Sequence, residues 1–305
     1  MHLFDSEHFI QLAEKHRDAY SSVEPFAHTV IDDFLPPEVL DGVLAEFPAP
    51  GERWRRLSSA NQAKLAAQRE NQFGKQTRDV LRECNSAGCL HFLETLTGIQ
   101  GLIPDPHLEG GGLHQIERGG FLKVHVDFNK HPRLNLDRRV NLIVYLNKDW
   151  KEEYNGHLEL WDRTMSRCVS KILPIFNRAV VFNTTGYAYH GHPERLTCPP
   201  GRTRKSLALY YYTNGRPPDE LAETHGTLWQ ERQGGWEAGQ FSATVLRGMA
   251  TLLERPARWM RKRANRLTQQ RSPMPQPKRD LHLTGKPLAR EGHVCATSQS
   301  SVLID

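Results

Sequence analysis

GGFLKVHVD, residues 119–127, puts a histidine and an aspartate two residues apart in a β-branched, apolar setting. On an extended backbone side chains alternate, so His125 and Asp127 project from one face and Val124 and Val126 from the other. Such a strand offers one imidazole nitrogen and one carboxylate oxygen to a common point. A metal held there needs a third protein ligand from elsewhere. YAYHGHP, residues 187–193, supplies two histidines of equal parity, His190 and His192, and either reaches the point from the end of an apolar strand.

The period-two pattern continues around this stretch. LHQIE (113–117), GFLKVHVD (120–127), RVNLIVYLN (139–147), HLELW (157–161), CVSKIL (168–173), RAVVFNTT (178–185) and SLALYYYT (206–213) read as successive short strands separated by Gly, Pro, Asn or Asp clusters. Strands that follow one another without long intervening helices argue for an all-β sandwich or jelly roll and against a βαβ fold. A cavity between two such sheets is a natural ligand site.

The front of the chain is mixed. Residues 6–20 predict a short amphipathic helix after Ser6, HTVIDDFL (28–35) a strand, and PPEVLDGVLAEF (36–47) a helix with proline in its first turn. Residues 61–98 predict two or three more helices, among them AGCLHFLETLTGI (87–99). The expected organisation is an N-terminal helix and strand support region (1–110) of the same domain, a jelly-roll core (111–215), a basic helical segment (216–267) and a tail (268–305) whose prolines and lack of periodicity read as disorder.

Charge is distributed unevenly. Residues 247–290 hold twelve Lys/Arg against two Asp/Glu, a balance of +10, so with +5 overall the remaining residues carry −5. The basic character therefore belongs to the C-terminal region, where FSATVLRGMATLLE (241–254) and ARWMRKRANRL (257–267) read as helices. Arg258, Trp259, Arg261, Lys262 and Arg263 would suit contact with anionic lipid or nucleic acid; an amphipathic helix with a solvated face is the plainer reading. Five scattered cysteines without CxxC spacing fit a reducing compartment, and the early charges of the N-terminus do not read as a signal peptide, so a cytoplasmic location is expected. No apolar run is long enough for a transmembrane helix.

A second group of residues bears on chemistry. In GRTRKSLALYYYT (201–213), Arg204 and Ser206 share a strand face and together can hold a carboxylate through a guanidinium fork and a hydroxyl. The apolar strand that follows makes a wall position more natural for Arg204 than for Arg202.

Five blocks in order, HVD (125–127), RRVNLIVYLNKDW (138–150), NGHLELW (155–161), HGHP (190–193) and RKSLALYYY (204–212), resemble the 2-oxoglutarate and Fe(II)-dependent dioxygenases, specifically their prolyl 4-hydroxylase-like branch. The likeness is close from Gly111 to Thr213 and looser over VIDDFLPPEVL (30–40). It implies a mostly β fold with flanking helices around a double-stranded β-helix (jelly-roll, cupin-like) core. It implies iron ligands at His125, Asp127 and His190, the last preferred to His192 because a Gly-x-Pro segment follows it. Arg204 and Ser206 match the residues that hold the far carboxylate of 2-oxoglutarate, and Tyr145 matches a tyrosine that touches the same carboxylate.

The implied reaction uses Fe(II), 2-oxoglutarate and O2, and admits ascorbate. It hydroxylates a C–H bond with release of succinate and CO2. A prolyl-like or other amide substrate follows from the branch; a small molecule or glycan is the alternative, and a non-catalytic metal-binding jelly-roll module is the alternative of another class. The carboxylate of Asp127 favours hydroxylation over halogenation, since halogenating relatives lack it. Two departures stand out. Asn155-Gly156 replaces the usual glycine pair, and the 14-residue step from His190 to Arg204 requires CPPG (198–201) to bulge out as a loop.

Overall fold

The computed structural model describes residues 3–4 and 7–232. The amphipathic and basic helices expected over 241–267 and the tail from 268 lie outside the described residues.

In chain order the elements are α1 (Glu7–Ser22), β1 (His28–Ile31), α2 (Pro37–Ala45), β2 (Arg55–Ser58), β3 (Gln62–Ala67), α3 (Lys75–Cys84), α4 (Ala87–Thr97) and β4 (Ile103–Pro104). There follow β5 (Gly112–Ile116), β6 (Phe121–Val126), β7 (Asp137–Tyr145), β8 (Leu158–Trp161), β9 (Cys168–Ile172), β10 (Ala179–Asn183), β11 (His190–His192), β12 (Arg204–Thr213) and β13 (Leu228–Trp229). The seven strands expected between residues 113 and 213 are all present, and β11 is added at the histidine pair. α1, α2 and α4 sit where their apolar spacing places them. The first strand is shorter than expected, because Asp33 takes a left-handed φ of 53° just after it.

One sheet runs in the order β1-β10-β7-β12-β5-β3-β6-β11-β8-β9, with β13 on β6, β2 on β3 and β4 on β12. Every pairing is antiparallel. The sheet curls on itself. Leu158 and Leu160 of β8 pack with Tyr145 of β7 and Val180 and Phe182 of β10, strands far from β8 in the hydrogen-bonded order. This closes the jelly roll that the strand pattern predicts.

Strand parity separates the two faces. Val140, Leu142 and Val144 of β7 and Leu207, Leu209 and Tyr211 of β12 pack against Phe9, Leu40, Val80 and Phe92 of the four helices. The alternate residues, Asn141 and Ile143 of β7 and Arg204, Ser206, Ala208 and Tyr210 of β12, line the interior. Because both faces are covered, the strands read as nearly continuous apolar runs.

The helical expectation over 61–98 is corrected at its start. QAKLAA (62–67) consists of helix-forming residues but is β3, hairpin partner of β2 and wedged between β5 and β6. Hydrogen bonding to strands on both sides outweighs propensities of a few tenths of a kcal/mol per residue. No helix among the described residues is long and apolar enough to cross a membrane.

Candidate metal and co-substrate site

β6 carries His125, the residue after its end is Asp127, and β11 sets His190 directly opposite His125. His125 Nε2 lies 3.5 Å from Asp127 Oδ1, and His190 Nε2 lies 3.4 Å from Asp127 Oδ2. One donor atom from each residue falls within 4.8 Å of the others, and among the described residues this is the one such group of three. Each imidazole is fixed from behind. Nδ1 of His125 donates to the Lys123 carbonyl at 2.9 Å and Nδ1 of His190 to the Ala188 carbonyl at 2.8 Å. A carbonyl only accepts, so the proton sits on Nδ1 and the Nε2 lone pair points inward, as a metal requires.

Asp127 is held as a carboxylate. Burial alone would raise its pKa, but the Arg138 guanidinium and the neighbouring imidazoles outweigh this and keep it well below the usual range. Oδ2 accepts from Arg138 Nη2 at 2.9 Å and Asn141 Nδ2 at 2.8 Å. Arg138 is fully buried, with its guanidinium carbon 3.5 Å from the Tyr210 ring centroid and 4.5 Å from that of Phe128. It reaches the interior although its parity differs from that of Asn141, because the β7–β12 register shifts between Tyr211 and Tyr212.

Burial, opposed in part by the charge of Asp127, pushes His190 from the ordinary 6.5 down to about 4. Between these values the unfolded chain binds the proton and the folded chain does not, so stability rises with pH. The contribution is complete above the unfolded value and is lost as pH falls through the folded one, an effect on the order of 3 kcal/mol. Denaturant unfolding of the metal-free protein should show this loss between about pH 7 and about pH 4, and His190→Gln should flatten the profile.

His190 and His192 separate in space. A register shift between them leaves His190 opposite His125 and His192 opposite Leu122. His192 is buried and lines the same cavity toward Arg204, and its Nδ1 has no hydrogen-bond partner.

Arg204 opens β12 and is 4% exposed. Its Nε donates to the Gly156 carbonyl at 2.8 Å and Nη2 to the Tyr145 hydroxyl at 3.3 Å. It makes no ion pair among the described residues, and burial depresses its pKa against the opposing effect of Tyr145. Ser206 is buried beside it and faces the same way. Arg202 instead donates to the Lys148 and Asp149 carbonyls on the surface. Asn155 does take the place of a glycine, with φ 60° and ψ −156°, a region reached almost solely by glycine. Gly156 has φ 82°, and a Cβ there would lie 2.7 Å from Leu196 and 3.0 Å from Arg204 Cδ. The segment around CPPG bulges only at its exposed tip, since Leu196 and Cys198 are buried with Ile116 and Trp150.

A cavity of about 270 Å³ joins the three-residue cluster to Arg204. Residues 111–212 match the sequence model of the 2OG-Fe(II) oxygenase superfamily. Over this third of its length the chain resembles that superfamily. Fe(II) and 2-oxoglutarate are accordingly its cofactor and co-substrate. The residues present fit both, with two imidazoles whose Nε2 atoms face inward, an ionised carboxylate, and a buried arginine that no carboxylate among the described residues meets.

No curated protein matches the chain. Solved structures that resemble it include a prolyl-4-hydroxylase from Pseudomonas putida, 18% identical over 67% of this chain and 100% of that one, with a TM-score of 0.45. A prolyl hydroxylase from Trichoplax adhaerens, in complex with a hypoxia inducible factor peptide fragment, is 18% identical over 68% of this chain and 94% of that one, TM-score 0.48. HygX from Streptomyces hygroscopicus, with nickel, 2-oxoglutarate and hygromycin B bound, is 12% identical over 74% and 97%, TM-score 0.42.

Several residues of this site carried no legible signal. Lys64 and the other cavity-facing residues of β3 sit in a segment that reads as helix. Trp229, in a segment that reads as basic and helical, lies on β13 opposite His125, with ring centroids 5.1 Å apart. Arg138 did leave a trace, as an arginine opening an apolar strand.

Proposed function

We propose that this chain is a hydroxylase in which His125, Asp127 and His190 hold Fe(II) and Arg204, Ser206 and Tyr145 hold the far carboxylate of 2-oxoglutarate. Its substrate is a prolyl-like or other amide compound. The observation that carries this is the buried, uncompensated Arg204 facing the three-residue cluster across one cavity. A buried cation lacking an internal partner is costly, and a ligand carboxylate relieves that cost. A structural metal site gives no reason for such an arginine, which argues against the non-catalytic module.

When bound, Fe(II) and 2-oxoglutarate supply the oxidative decarboxylation that activates O2 and hydroxylates a C–H bond, with succinate and CO2 released. The chain supplies the geometry. The Lys123 and Ala188 carbonyls aim the two imidazoles, Arg138 and Asn141 fix the carboxylate of Asp127, and Trp229 packs over His125. Arg204 and Tyr145 give the co-substrate one orientation.

Anaerobic Fe(II) titration followed by an aerobic assay of succinate release tests this reading, with peptides, free amino acids and sugars compared as substrates. Absence of metal binding and of 2-oxoglutarate turnover would refute it. Gly156→Ala should also be informative. Its positive φ and the nearby Arg204 side chain make a methyl group costly, about 1–3 kcal/mol, and the displaced arginine should weaken 2-oxoglutarate binding while Fe(II) affinity holds. Equal losses of both ligands would count against that path.

A further inference from the structure

The cavity holds more positive charge than iron and 2-oxoglutarate account for. Four basic side chains line it, Arg55, Lys64, Arg138 and Arg204, against two carboxylates, Glu109 and Asp127. Fe(II) brings two positive charges and 2-oxoglutarate two negative ones, so loading leaves the surplus of two unchanged. Within the proposed site Arg204 meets the co-substrate and Arg138 meets Asp127. Lys64 makes no ion pair or side-chain hydrogen bond among the described residues.

Strand parity aims Lys64 inward. Gln62, Lys64 and Ala66 of β3 line the cavity, whereas Leu65 and Ala67 belong to the core beneath the helices. The Lys64 side chain shares this cavity with Asp127, Arg138 and Arg204, whose charges act on its ammonium, and burial pushes its pKa down to about 8. A second donor faces the same space: Arg138 Nη1 is buried without a hydrogen-bond partner. The neighbouring cavity of about 510 Å³, which shares Asp127, is built differently. There Arg139 pairs with Glu220 at 3.0 Å, and Arg216 lies 3.5 Å from Glu220 and 3.9 Å from Asp137. Its central cations are matched by the protein, and Lys64 is not.

We propose that Lys64, together with Arg138 Nη1 in the same cavity, anchors an oxyanion of the primary substrate, a carboxylate or a phosphate, so that the molecule hydroxylated carries a negative charge close to its reacting carbon. This rests on the oxygenase reading above and narrows its substrate class. A prolyl or other amide compound would then be an acid or a chain end and not a neutral internal segment. Lys64 lies outside the family-matched residues 111–212, on a strand contributed by the front of the chain.

The test uses the full chain loaded with zinc in place of iron, so that no turnover occurs, together with 2-oxoglutarate. Calorimetric titration compares N-acetylproline with its neutral N-methylamide, and glucose 6-phosphate with glucose, which separates a carboxylate from a phosphate source. At least one anion should bind about tenfold or more tighter than its neutral partner. Lys64→Met should abolish that difference, Lys64→Arg should restore most of it, and both variants should keep wild-type affinity for zinc and 2-oxoglutarate. Neutral and anionic members binding alike, or no anion binding, would overturn the inference. Weakened 2-oxoglutarate binding in Lys64→Met would overturn it too, by assigning the lysine to the co-substrate. A wild-type chain that takes up neither zinc nor 2-oxoglutarate would instead refute the oxygenase reading, and the inference with it.

Discussion

Asp127→Ala should abolish Fe(II) binding and succinate release and also destabilise the metal-free fold. Loss of a residue behind a metal ligand typically costs 10- to 100-fold in affinity, and Asp127 is itself proposed as a ligand, so its loss should exceed that range. The stability effect comes from Arg138. Its guanidinium is buried between Tyr210 and Phe128, and Asp127 is the one carboxylate in ion-pair contact with it among the described residues. Breaking a buried pair by removing one partner costs about 3–5 kcal/mol. Replacing Arg138 by methionine in the same chain should recover much of that stability without restoring the metal. Anaerobic Fe(II) titration and denaturant unfolding of the single and double variants separate the two effects. A single variant as stable as the wild type would show that Asp127 does not compensate Arg138.

The second large effect is expected at Arg204. Arg204→Ala should leave Fe(II) affinity near wild type while 2-oxoglutarate affinity falls. Loss of one partner from a buried charged pair costs about 2–5 kcal/mol, or about 30-fold to several thousandfold in Kd. The metal cluster draws its donors from β6 and β11, and Arg204 belongs to β12, so the two losses are separable. Titration of 2-oxoglutarate into the zinc-loaded variant measures the fall. Retained affinity would move the co-substrate to other residues, with Lys64 and His192 the next to replace, since both line the same cavity.

These effects also show how far the sequence reaches. Alternation in GFLKVHVD was enough to put His125 and Asp127 on one side of a strand, and the same rule put Arg204 and Ser206 on one wall. Parity could not choose between His190 and His192, because both satisfy it. The β-bulge that separates them arises from pairing with β6 and β8, which no local pattern records. Arg138 enters the site through another register shift, for the same reason. QAKLAA read as helix because its residues favour helix on their own, and only strands on both sides made it β3.

By itself, then, the sequence determined what depends on neighbours a few residues away: seven strands of the core, its sandwich or jelly-roll class, three helices of the front region, and the residue types facing each way along a strand. Tertiary structure decided what depends on chain segments far apart. It set His190 opposite His125, closed the cavity with β3 and β13, and left Lys64 without an ion pair and Arg138 Nη1 without a hydrogen bond among the described residues. Side-chain alternation is a property of a single strand, whereas the register between strands is fixed jointly by two, and the chemistry of this site lies in the register.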